Sequence, residues 1–121
     1  MKVAELSGTL LDYWACRALL AEFEGKKLTP ELVEHVKNRI GSIPFHPSTD
    51  WAQGGPIIAR ERIAVFWDVD EWVALWNAES SASGTLHARG ATAVGATALI
   101  AAMRVFVSER FGATVPDEVV A

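Results

Sequence analysis

Cysteine is nearly absent, no apolar run is long enough to span a bilayer, and basic residues are nowhere clustered. Each shortage excludes something. Cys16, alone, cannot form an intramolecular bridge; inside a helix-like run it is expected to serve as a small buried hydrophobe in a reducing compartment. Met1-Lys2-Val3-Ala4-Glu5 carries no apolar leader region, and no window approaches the ~20 apolar residues a spanning helix needs. A soluble protein of the cell interior, without a membrane partner, is the expectation. With 11 Lys and Arg against 15 Asp and Glu, net charge −4 and the cations scattered, direct nucleic-acid binding is disfavoured. The common catalytic signatures are also missing. Gly54-Gly55-Pro56 lacks the Lys and hydroxyl residue of a phosphate loop, and there is no G-x-S-x-G elbow for Ser48. His35, His46 and His87 fall on three different predicted elements, which argues against a zinc site or a His-based triad. Asp68, Asp70 and Glu71 supply too few oxygens for Ca²⁺ and read as a hairpin turn. No cofactor and no metal are expected.

What is present is a core. The chain has 121 residues, half of them hydrophobic, which suits one domain burying roughly two thirds of its unfolded surface. Five Trp and five Phe supply bulk without a staple, and five indoles in so small a chain also make a homodimer an option. From Leu6 to Phe23, Leu6, Leu10, Tyr13, Trp14 and Leu20 recur at helical spacing, with Ser7 as N-cap, Gly25 as stop and Asp12 on the polar face. Thr29-Pro30 opens a second helix through Ile40. Ser42 to Gly55 holds too many turn formers for regular structure and reads as a surface loop. After a helical turn near Ile57–Arg60, strands are expected over 62–67 and 72–78, joined as a hairpin, with a third antiparallel strand over 85–89. Thr97 caps a last helix reaching Phe111, with Gly112 at its end, and residues 116–121 form a mobile tail. Consecutive hairpin strands with two or three helices make an α+β domain: one small antiparallel sheet of two or three strands packed with helices over 1–121.

The loop is the candidate surface. Ser48, Thr49, Asp50, Trp51, Gln53, Gly54 and Gly55 bring hydroxyls, a carboxylate, an amide and an indole together where no periodicity demands them, a composition suited to a partner or ligand surface. Capping of the next element by Asp50 and plugging of the core by Trp51 are the structural alternative. Arg60, Arg62 and Arg104 could converge on an anion, with ion pairs to Glu61 and Glu109 as the competing explanation.

The block Pro47-Ser48-Thr49-Asp50-Trp51-Ala52-Gln53-Gly54-Gly55-Pro56-Ile57-Ile58 resembles the central signature of the phage NinX-like proteins. Leu6-Ser7-Gly8 with Leu11-Asp12-Tyr13-Trp14 is similar to that family's opening helix, and residues 95–104 to its closing one. Ala59, at an often acidic position, and Ala98, at an often proline one, depart from the pattern. The resemblance implies a phage or prophage origin and expression in the bacterial host cytoplasm, and no catalytic residue. The expected function is therefore that of a non-catalytic accessory protein using the Ser48–Gly55 loop to bind a host or phage protein. A small-ligand protein or enzyme with Asp50 as acid or base is the alternative, and an accessory factor in phage DNA metabolism the second.

Overall fold

In the computed structural model residues 1–21, 45–84 and 86–116 are described; the expected second helix and the tail 117–121 lie outside them. A 3-10 turn, Val3–Glu5, leads into helix α1, Gly8–Leu19. Ser7 holds the N-cap position with extended backbone but makes no side-chain cap bond. Helix α2 is Trp51–Glu61; strands β1, Ile63–Asp68, and β2, Glu71–Trp76, form the hairpin. Short strands β3, Glu79–Ser80, and β4, Leu86–His87, precede β5, Thr92–Gly95, and helix α3, Ala98–Phe111. The architecture is α+β, with a three-stranded antiparallel sheet in the order β1-β2-β5 and a separate β3-β4 ribbon.

Helix α3 is the centre of the molecule. Thr97 Oγ1 accepts the Ile100 N–H at 3.1 Å, the capping bond its type and position promise. Beyond that cap, Leu99, Ala101, Ala102, Met103, Val105, Phe106 and Val107 are all buried, more than one face of a helix can hold. A helix apolar nearly all round must be covered on several sides, and α3 packs against α1, α2 and all three strands of the larger sheet. Cross-strand pairs Val65↔Ala74 and Ala74↔Ala93 turn their side chains toward it, in register with Ile63↔Trp76. No helix among the described residues is long and apolar enough to cross a membrane.

Three expectations need correction. The third strand of the main sheet is β5, because Leu86–His87 pairs only with Glu79–Ser80 and never joins β2. Asp12 does not lie on a polar face: it is buried, and its Oδ1 accepts the Ser48 N–H at 2.9 Å. The helix expected as one turn near Ile57 begins six residues earlier, so five of the eight residues of the Ser48–Gly55 loop, Trp51–Gly55, are helical. Local propensity opposes a helix containing Gly54, Gly55 and Pro56. Tertiary packing overrides it, since Ile57 is buried in the core and the helix start is capped.

Candidate functional site

The segment 46–56 is built from a turn and a capped helix start. The His46 carbonyl accepts the N–H groups of Thr49 at 3.2 Å and Asp50 at 3.1 Å. Asp50, with extended backbone, then caps α2: its Oδ1 accepts the Ala52 N–H at 2.9 Å, and its carbonyl accepts from Gly54 at 2.8 Å. Gln53 Oε1 reaches back to the His46 N–H, closing the turn from the other side.

Two contacts fix this unit to the body. Ser48 is 2 % exposed; Asp12 takes its N–H, while its hydroxyl is buried with no hydrogen-bond partner among the described residues. Gly54 is pressed against the turn and α3 so closely that an added Cβ would stand 2.5 Å from the Pro47 carbonyl oxygen and 2.6 Å from Leu99 Cδ2. Glycine is required there by proximity, whereas a Cβ on Gly55 would meet nothing within 4 Å. Gly54, which reads as flexible punctuation, is in fact the residue that lets helix and turn touch.

One large side chain of the segment faces outward. Trp51, at the first position of α2, is 56 % exposed, flanked by exposed Thr49 and Ala52 and the half-exposed Asp50. Among the sequence candidates, Ser48 and Gly54 are thus interior, Gln53 and Gly55 are partly covered, and Thr49, Asp50 and Trp51 form the accessible edge. On the side of α1, Tyr13, Cys16, Arg17 and Phe45 line a cleft of about 490 Å³, and burial pushes the Cys16 thiol above its ordinary range.

The three candidate arginines do not converge. Arg104 is a clamp: its Nε donates to the Leu6 carbonyl at 2.8 Å and its Nη1 to the Val94 carbonyl at 2.9 Å, tying the chain's start and β5 to α3. Desolvation lowers its pKa, since removal from water disfavours the charged form. Arg60 and Arg62 do meet, at the opposite end of α2 from Trp51. There Glu61, with its side chain only 10 % exposed, lies 3.1 Å from Arg60 Nε and 3.2 Å from Arg110 Nη2. Arg62 follows in the left-handed conformation at φ 55°, terminating the helix. Together with Trp76 and Asn77 these residues line a shallow polar cleft of about 380 Å³. Sequence reasoning missed Arg110, Trp76 and Asn77; the first sits 49 positions from Glu61, and only the fold joins them.

No curated protein matches the chain. A family model described as Bacteriophage P22, NinX matches residues 2–110, a span that takes in both ends of α2, the Arg104 clamp and the Asp12–Ser48 anchor. On that match over most of its length, the chain belongs to the bacteriophage P22 NinX family.

Proposed function

We propose that this phage accessory protein works inside the bacterial host by binding a host or phage protein, without catalysis, and that the accessible edge of the Ser48–Gly55 segment, centred on Trp51, makes the contact. The observation that supports this reading is the contrast within the segment. Its backbone is held by Asp12, the Asp50 cap and the close approach of Gly54, yet its largest side chain is left 56 % in water. An indole on a rigid support loses little conformational entropy on binding and offers a large contact area, which is why tryptophan is enriched among the residues that dominate interface energies. Asp50 as acid or base finds less support, because one of its oxygens is committed to capping the helix. Replacing Trp51 with a photo-crosslinking phenylalanine analogue in phage-producing cells should trap one dominant protein. Trp51→Ala, still folded by circular dichroism, should bind that protein at least about tenfold more weakly. Unchanged affinity of the folded variant would overturn the reading.

A further inference from the structure

We propose that the cleft at the C-terminal end of α2 binds the phosphate group of a small molecule, with Arg62 as the principal contact and Arg60 and Arg110 beside it. Three arginines and a single carboxylate line it, and only Arg60 and Arg110 pair with that carboxylate, so positive charge is in excess. Part of that excess offsets the negative ends of α2 and α3, in whose last turns Arg60 and Arg110 stand. Arg62 is what remains over: it is exposed and makes no side-chain hydrogen bond or ion pair among the described residues. Glu61, nearly buried, holds the other two side chains from opposite sides and so presents them already ordered.

The backbone points the same way. Arg62 at φ 55° occupies the helix-ending position that glycine fills without strain, and Asn77 across the cleft sits at φ 44°. Arg62 and Asn77, two of the three left-handed non-glycine residues among the described ones, line one cleft; Asn adopts that conformation readily, so the strain lies with Arg62. A long cationic side chain kept at a strained position, with no partner among the described residues, is suited to a ligand outside the chain. The planar guanidinium fork matches a phosphoryl group, whose double charge suits several guanidiniums better than a carboxylate does. The cleft's size is that of a small-ligand site, and Trp76 gives one wall a half-buried indole for whatever the phosphate is attached to.

The test follows the arginine side-chain N–H signals by NMR during titration with inorganic phosphate, adenosine monophosphate, adenosine and acetate. Phosphate and the nucleotide are expected to shift Arg62 Nε–H saturably, while adenosine and acetate at equal concentration do not. Nucleotide binding at least about tenfold tighter than phosphate, with movement of the Trp76 indole signal, assigns a nucleotide-like phosphomonoester; equal affinity assigns free phosphate. Arg62→Gly separates binding from folding, because it removes the guanidinium and the strain together: affinity should fall at least about tenfold with Tm unchanged or raised. No saturable shift, acetate binding as tightly as phosphate, or full affinity in Arg62→Gly would each overturn the proposal. Trp51→Ala should bind phosphate like the parent protein, so this site and the proposed partner surface stand or fall separately.

Discussion

The two ends of helix α2, about 16 Å apart at 1.5 Å per residue, obey opposite rules. At the first end three choices serve the fold. Asp50 caps, Gly54 admits the turn and α3, and Ser48 is tied to Asp12. At the second end Arg60 and Arg110 still serve it, paired with Glu61 at the negative helix ends, but Arg62 works against local stability, an arginine standing where glycine would be easier. The difference teaches that Gly54 and the Ser48 backbone mark construction, while Arg62 marks a place where local stability is given up.

Substitutions at each end can break that contrast. The largest effect is expected from Gly54→Ala, whose methyl has backbone oxygen on one side and Leu99 on the other; about 2–3 kcal/mol should be lost in urea unfolding. Its neighbour provides the control. Gly55→Ala meets open space inside a helix and should gain about 0.5–1 kcal/mol, so equal effects at the two glycines would erase the proximity argument. Asp12→Ala strands the buried Ser48 N–H and should cost about 1–3 kcal/mol by the same measurement. Loss of the helix cap in Asp50→Ala should cost about 1 kcal/mol. The smallest change belongs to the other end, where Arg62→Gly should leave stability unaltered or raise it by up to about 1 kcal/mol. A clear loss there would mean that Arg62 serves the fold after all.

The sequence made some of this legible and hid the rest for definite reasons. Thr97 and Gly112 bracket α3, and apolar spacing marks α1, because caps and periodicity act within a few residues. The hairpin of β1 and β2 was equally local. Asp12 looked like a solvated helix residue since its partner, the Ser48 N–H, is 36 positions away. Gly54-Gly55-Pro56 looked like a break because the reason for Gly54 is Leu99, on another helix. Arg104 looked like a candidate anion ligand because the Leu6 carbonyl it holds is 98 positions off. The pairing of Arg60 with Arg62 could be seen, being local, but the Arg110 and Trp76 that complete the cleft could not. Much short-range chemistry was readable, and the misread roles of Asp12, Gly54 and Arg104 each trace to a remote partner, whereas the ribbon of Leu86–His87 with Glu79–Ser80 was missed although it is local.

The turn between β1 and β2 carries a consequence for the order of assembly. Val69, a β-branched residue 88 % exposed at the tip, is held at φ 58°, a conformation its side chain resists. A turn that disfavours its own closure is a poor nucleus, so β1 and β2 have to be drawn together by the apolar face they share with α3. That helix follows both strands in the chain. The hairpin is therefore expected to close together with its packing on α3 rather than ahead of it.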